Sequence, residues 1–250
     1  MRASALAVVL ALAAGAAIAA PHAPAKAIPQ SPYAKDFVGT WDRVGSINFD
    51  PTIPFNLPDK PPLTPAAVAQ FQASIDSAAA GKPINDPHAN CVPLGMPRMM
   101  NGVYLMEFLV ADEKVVIIGE EQSQVRRIWT DGRGFDEDNM WDTYNGTSIG
   151  RWDGKVLLIE TRAAKSDIPI NQKGLMHSDK MTINERLWLE DGGNTLHDQI
   201  TLTDPLTFAK PWVVTKTFKR TKDPANEYVC EENNRNPVGA DGVTGVILSK

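Results

Sequence analysis

Apolar residues recur with a period of two through most of this 250-residue chain, and this alternation constrains the fold more than any other feature. Turn-like sequences such as Ala111-Asp112-Glu113 separate the alternating segments, so consecutive segments are predicted to pair as hairpins. A row of hairpins has open edges unless it curls and closes. The sequence therefore predicts a mainly β fold, a single antiparallel meander closed or nearly closed into a barrel. The predicted strands are residues 37–47, 103–110, 114–121, 124–130, 155–162, 181–190, 195–203 and 212–219.

One early α-helix is predicted over residues 64–80. Thr64 can cap its first turn, and Pro65 suits the first helical position, where a backbone N–H is not needed. Apolar residues then follow at helical spacing, at Ala67, Val68, Phe71 and Ile75. We expect this apolar stripe to pack on the barrel or to plug one end of it.

The N-terminus has the pattern of a signal peptide over residues 1–19: a short positive start, an apolar run and a small-residue cleavage site at Ala17-Ile18-Ala19. We expect residues 20–36 to be a disordered lead-in, residues 37–234 the barrel domain and residues 235–250 a flexible tail. The sequence has no second apolar run of spanning length. It therefore predicts a periplasmic or secreted protein without stable membrane insertion.

The two cysteines, Cys91 and Cys230, are predicted to form a disulfide in that oxidising compartment. The bond would close a long loop, which in the chain-entropy model contributes roughly 4 to 5 kcal/mol of stability. Two buried free thiols are the alternative.

Composition and motifs argue against several classes of function. The net charge of −5, with Lys and Arg scattered among the acids, does not suit nucleic acid. The sequence has no pair of histidines at ligand spacing, no Gly-rich phosphate loop and no Gly-x-Ser-x-Gly motif. We therefore predict neither a metal ion nor an organic cofactor.

Charged residues interrupt the apolar face of six predicted strands. Side chains alternate between the two faces of a strand, so each interrupting charge is predicted to point into the barrel with its apolar neighbours. A buried charge without a partner costs several kcal/mol, so the set requires an explanation. The six residues are Glu107, Arg127, Glu160, Glu185, Asp198 and Lys216.

Two interpretations of these charges stay open. They form a closed ion-pair network inside the barrel, or they line a wet cavity and carry acid–base chemistry, because carboxylates near cations in an apolar wall have shifted pKa values. In the second case Glu185 or Glu160 is the candidate base and Arg127 stabilises negative charge. His177 or Tyr144 would then supply a proton.

Large, soft apolar side chains concentrate in or beside the predicted loops, where they suit a flat or aromatic ligand as well as an ordinary core. Together with two inward charges they form the predicted substrate-binding set. Its members are Met99, Met100, Trp129, Trp141, Met176, Asp198 and Lys216.

Several motifs resemble a large family of secreted bacterial proteins of unassigned function, frequent in sphingomonads and soil bacteria. They are the runs of residues 126–133 (RRIWTDGR), 144–154 (YNGTSIGRWDG) and 228–233 (YVCEEN). Relatives often carry histidines where this chain has Gly134-Phe135 and Thr147. If those histidines do chemistry in the family, this chain either lacks that step or uses His177 and a carboxylate instead. The barrel is also similar to lipocalin-like and dirigent-like architectures, which implies no function.

The leading hypothesis is a cofactor-independent periplasmic lyase or isomerase that acts on a small apolar or aromatic, plant- or lignin-derived compound. The alternative is a non-catalytic, lipocalin-like protein that binds a small hydrophobic ligand. A structural or envelope-interaction protein is a third hypothesis, and a homo-oligomer is compatible with each.

Overall fold

Nine strands close into one barrel in chain order. The structure is a computed structural model that describes residues 30–82, 84 and 86–233. The strands are β1 (Gly39–Val44), β2 (Met106–Ala111), β3 (Lys114–Gly119), β4 (Gln124–Trp129), β5 (Thr147–Asp153), β6 (Val156–Arg162), β7 (Thr182–Glu190), β8 (Thr195–Thr203) and β9 (Trp212–Thr221). The single α-helix of the described residues is α1 (Pro65–Ala79). The predicted mainly β barrel with one early helix is confirmed.

Eight neighbouring pairs around the barrel are antiparallel, and β4 pairs with β5 in parallel. Strand directions that alternate around a closed ring require an even number of strands, so a nine-stranded ring must contain a parallel pair. Parallel neighbours also need a long crossover instead of a tight turn. Residues 130–146 form this crossover, and Phe135 within it lines the cavity described below.

Strand β5 is absent from the predicted set, because the sequence Thr-Ser-Ile-Gly-Arg-Trp-Asp is polar and contains a glycine. The structure explains why residue 150 is a glycine. A Cβ at Gly150 would lie 2.7 Å from Ile128 Cγ2 and 3.0 Å from Thr130 Cγ2, so only glycine allows β4 and β5 to approach so closely.

Helix α1 agrees with its prediction. The Thr64 hydroxyl accepts a hydrogen bond from the Ala67 N–H at 3.3 Å, and Phe71 is buried in the common core. No helix of the described ranges is long and apolar enough to cross a membrane. Short 3-10 helices occupy Ala34–Phe37, Pro87–Asn90, Arg98–Asn101, Glu137–Asn139, Asp191–Gly193 and Cys230–Asn233.

The lead-in prediction is wrong for residues 30–36, which pack against the barrel. The Trp152 indole N–H donates to Gln30 Oε1 at 2.7 Å, and the Ser31 hydroxyl donates to the Gly154 carbonyl at 2.8 Å. These side-chain hydrogen bonds link positions far apart in sequence, which local composition does not reveal. The predicted signal peptide, residues 20–29 and the predicted tail lie outside the described residues.

The predicted disulfide is confirmed. Cys91 and Cys230 are bonded across a sequence separation of 139, with their Cα atoms 5.4 Å apart. The bond ties the segment before β2 to the end of the described chain. In that segment Arg98 forms a two-point ion pair with Asp86, at 2.8 and 2.7 Å, which fixes the turn around Cys91.

Candidate functional site

Three of the six predicted inward charges do point into the barrel. Glu185, Asp198 and Lys216 are 3%, 0% and 0% exposed, and each lies among the inward apolar residues of its strand. The inward side chains of the strands form one continuous core cluster. On β7, β8 and β9 the alternation of the sequence was sufficient to identify the inward residues, because the outward faces of these strands are clearly polar.

The inward placement of Glu107, Arg127 and Glu160 was wrong. Directly paired residues of neighbouring strands share a face, and the buried Glu185 pairs with Ile159, which turns Glu160 outward. On β4 the inward arginine is Arg126, at 1% exposure, and Arg127 is exposed. Strands β2, β3 and β6 are apolar on both faces, so only the register of pairing decides which residue points inward.

Arg126 and Glu185 form a two-point ion pair in the barrel core. Arg126 Nη1 donates to Glu185 Oε1 at 2.8 Å, and Nη2 donates to Oε2; neither side chain has exposed surface. The guanidinium also donates to Thr161 Oγ1 at 3.0 Å and to Ser148 Oγ at 3.2 Å. Sequence reasoning missed Arg126, and cross-strand register is the signal that would have found it.

Asp198 lies in the same core, and neither of its carboxylate oxygens has a hydrogen-bond partner. Burial raises its pKa well above the usual range, and the negative charge of Glu185 adds to this effect against the opposing charges of Arg126 and Lys216. Burial therefore favours the protonated, neutral form of the Asp198 carboxyl. A protonated carboxyl can sit in an apolar wall without an ion-pair partner.

Lys216 is the third of the predicted inward charges that is buried in the core. Its ammonium donates to the Asn101 side-chain oxygen at 2.7 Å and to the Phe49 carbonyl, and it lies 4.3 Å from the centroid of the Phe49 ring. Burial lowers the pKa of Lys216 to about 7, although Asp59 and Asp198 oppose the shift. The core thus combines a closed ion pair with two groups whose charge depends on pH.

A catalytic base must come within hydrogen-bond reach of its substrate. The Glu185 carboxylate has no exposed surface and is bound by Arg126 at both oxygens. Asp198 and Lys216 are equally enclosed. Among the inward charges of the described chain, only Glu185 is ion-paired, to Arg126, while Asp198 and Lys216 are buried without an ion pair. The ion-pair network that the sequence left open as an alternative is therefore formed only in part. Since these groups are enclosed, a candidate binding site must lie elsewhere.

The outer face of β5 to β8 carries a cavity of about 420 Å³, here called the outer cavity. Its floor consists of two rows of outward side chains that cross four strands in register. Neighbouring strands are about 4.8 Å apart, so each row is roughly 14 Å long. One row is Arg151, Leu158, Arg186 and Gln199, and the other is Ile149, Glu160, Asn184 and Thr201.

The crossover of residues 130–146 covers one end of the outer cavity with Phe135. Arg162 holds it there: the guanidinium lies 4.2 Å from the Phe135 ring centroid and pairs with Glu137 at 2.5 Å. The same guanidinium pairs with Glu160 at 2.6 Å. Sheet and crossover are thus linked through one arginine, which Glu160 and Glu137 share.

Arg151 and Arg186 stand on either side of Leu158 in one row, with Cα atoms about 10 Å apart. Neither has a carboxylate partner within the part of the chain that the structure describes. The Arg186 guanidinium contacts the Trp188 ring, 5.2 Å from its centroid. The outer cavity therefore carries uncompensated positive charge on a protein of net charge −5.

The other predicted site residues are dispersed. Met99 and Met100 are core residues, Trp141 is 73% exposed, and Trp129 lies between the cations of Lys114 and Arg133, at 4.7 and 3.8 Å from its ring centroid. Of the predicted catalytic set, Glu160 and Glu185 border the outer cavity and the other three do not, but the Glu185 carboxylate points into the core. The site roles of these residues stay predictions.

His177 and Met176 line a separate cavity of about 320 Å³ beside α1. The His177 Nδ1–H donates to the Ser178 carbonyl at 2.9 Å, and Nε2 is buried without a hydrogen-bond partner. Burial lowers the pKa of His177, so it is neutral at pH 7. Tyr144 makes different contacts. Its backbone carbonyl accepts a hydrogen bond from the Met96 N–H at 2.7 Å, and its ring lies under the Lys165 ammonium.

Across the described ranges, no group of three or more His, Cys, Asp or Glu side chains is arranged to hold a metal ion. The outer cavity offers only Glu160 as a carboxylate, and Arg162 already binds it.

Comparisons with known proteins do not show a family for this chain. No protein-family model matches it, and no curated protein matches it. Among solved structures, a chain described as a REP1-NXSQ fatty acid transporter is similar at 13% identity and a TM-score of 0.35, covering 76% of this chain and 98% of that chain. A similarity at this level supports no conclusion about function. The resemblance to the secreted bacterial family stays a prediction.

Proposed function

We propose that this protein binds a small, partly apolar molecule in the outer cavity. One observation supports this most directly: two aligned rows of side chains place apolar groups beside hydrogen-bonding and charged groups under a covering aromatic ring. Ligand sites in proteins combine an apolar lining with a few placed polar groups in this way. The volume of about 420 Å³ is within the range of such sites.

The compartment is part of the proposal. The Cys91–Cys230 disulfide is compatible with an oxidising environment, so we place the binding activity in the periplasm or outside the cell. A ligand taken up there would be an external, plant- or lignin-derived compound of the apolar or aromatic kind.

Thr201 and Val213 offer a matched pair of variants. They are directly paired, outward-facing residues of β8 and β9, and only Thr201 lines the outer cavity. Thr201→Trp would place an indole ring in the cavity, whereas Val213→Trp adds the same ring beside it. Both substitutions suit a β-strand.

The experiment is native mass spectrometry of the purified mature protein with a pool of small aromatic and aliphatic compounds. We expect one class of compound to be retained by the wild type and by Val213→Trp, and to be lost from Thr201→Trp. Retention by all three proteins would overturn the outer cavity as the site, and circular dichroism would show whether each variant is folded.

Acid–base catalysis is the second candidate function, and Glu160 is the observation that favours it. Glu160 is a half-buried carboxylate on the floor of the outer cavity, where a bound molecule could reach it. If the protein is a lyase, the same incubation yields new masses as the bound compound is consumed. If it is an isomerase, the product keeps the mass of the compound and is detected as a new chromatographic peak. Glu160→Gln should then abolish product while the compound still binds; unchanged turnover would exclude Glu160 as the base.

A further inference from the structure

A second cavity, of about 590 Å³, adjoins the outer cavity. Gly150 and Arg151 line both, so the two cavities meet at Arg151 on β5. We call the second one the end cavity, because it lies where the N-terminal segment crosses the end of β5. Its walls include Pro32, Tyr33 and Trp152.

The end cavity is built by contacts distant in sequence. Gln30 is fixed by the Trp152 indole and by the Asp112 carbonyl, which accepts from Gln30 Nε2 at 3.0 Å. Trp152 is in turn packed edge-on against Phe37, with ring centroids 5.2 Å apart. Tyr33 and Trp152 thus present aromatic surface next to a cationic junction.

We propose that the natural ligand is an amphipathic anion: a carboxylate bound between Arg151 and Arg186, attached to an apolar chain or ring system that lies in the end cavity. This inference rests on the proposed function and names the class of molecule that the outer cavity takes. Leu158, between the two arginines, would contact the first carbons after the carboxylate.

The charges of the site select an anion over a neutral or cationic molecule. Glu160 is paired with Arg162, which it shares with Glu137, while Arg151 and Arg186 have no carboxylate of the described chain to pair with. A guanidinium presents a planar set of donors that matches a carboxylate, and charged hydrogen bonds of this kind are about twice as strong as neutral ones. The two arginines, with Cα atoms about 10 Å apart, repel each other unless an anion lies between them.

The test is calorimetry with hexanoate, octanoate, decanoate and 4-phenylbutyrate, against decanol and decylamine as matched neutral and cationic probes. We expect the carboxylates to bind and decylamine not to bind. Affinity should rise about fourfold for each methylene that enters the end cavity. Equal binding of decanol and decanoate, or failure of every carboxylate to bind, would overturn the proposal.

Variants of the site test the binding of the carboxylate and the binding of the apolar tail separately. Arg151→Gln and Arg186→Gln should each weaken decanoate binding tenfold or more. Arg127→Gln is the matched control, because Arg127 is an exposed outer-face arginine that lines neither cavity. Tyr33→Ala should weaken decanoate more than hexanoate.

The two proposals fail in different ways. If Thr201→Trp blocks binding but the arginine variants do not weaken it, the outer cavity is the site and the anion inference is wrong. If decanoate binds equally to wild type, to Thr201→Trp and to both arginine variants, the proposed function itself is wrong.

Discussion

Asp198 lies directly opposite Lys216 on the inner faces of β8 and β9, and the Lys216 ammonium nevertheless donates to Asn101 and Phe49. Both Asp198 oxygens are left without a hydrogen-bond partner. Two groups that could form an ion pair are instead held apart in the core. Their pKa values therefore move toward the neutral forms, and stability must depend on pH.

Lys216 should make the protein more stable as the pH rises above neutral. Its pKa is about 7 in the folded protein and near 10.5 when unfolded, so between these values the unfolded state binds the extra proton. The free energy of unfolding then increases with pH over this interval. Urea denaturation from pH 6 to 10 measures the increase, and Lys216→Met should flatten it. A variant that keeps the same slope would contradict the assignment.

Asp198 should make the protein less stable as the pH rises, over a lower pH range than Lys216. Its pKa in the folded protein is well above the ordinary value of 3.8, so the folded state holds a proton that the unfolded state has released. Stability falls as the pH rises from 3.8 through the folded pKa. Asp198→Asn keeps the shape without the charge and should remove this fall, as measured by thermal unfolding between pH 4 and 7. An unchanged pH profile would show that Asp198 does not titrate there.

Removal of one partner of the buried pair should be costly. Glu185→Gln leaves the Arg126 charge uncompensated in the core, and we expect a loss of roughly 3 to 5 kcal/mol in the free energy of unfolding. The double variant Arg126→Met, Glu185→Leu should lose less than Glu185→Gln alone. Glu160→Gln is the control, because its pair with Arg162 is partly exposed and should contribute less than about 1 kcal/mol. Similar losses for Glu185→Gln and Glu160→Gln would contradict the buried network.

Gly150→Ala should destabilise the contact between β4 and β5. The new methyl group would lie 2.7 Å from Ile128 Cγ2, so the two strands must separate, at a cost of roughly 1 to 3 kcal/mol. Gly134→Ala provides the comparison, since a Cβ there meets no atom within 4 Å. Guanidinium unfolding of both variants measures the difference. Equal midpoints would mean that the parallel pair does not depend on this glycine.

Loss of the disulfide should lower stability without changing the fold. Cys91→Ala and Cys230→Ala each open the long covalent loop, and we expect either variant to lose roughly 2 to 5 kcal/mol. The double variant should lose no more than a single one, because the same bond is removed. Urea denaturation under non-reducing conditions makes the measurement, and a wild-type midpoint would contradict it.

Period-two alternation, turn sequences and a capped apolar stripe are local properties, and from them the sequence by itself determined the barrel class, eight of the strands and helix α1. Alternation also placed Glu185, Asp198 and Lys216 inside, because the opposite faces of their strands are polar. Cys91 and Cys230, as the only cysteines, determined the disulfide.

Only the tertiary structure decided which face of β2, β4 and β6 points inward. These strands are apolar on both faces or carry adjacent arginines, so their orientation depends on cross-strand register, which is a relation between distant residues. The parallel pairing of β4 with β5 and the folding of residues 130–146 over the sheet are non-local for the same reason. The outer cavity results from these contacts, and Arg151, Leu158 and Arg186 become neighbours only when three strands pair in register.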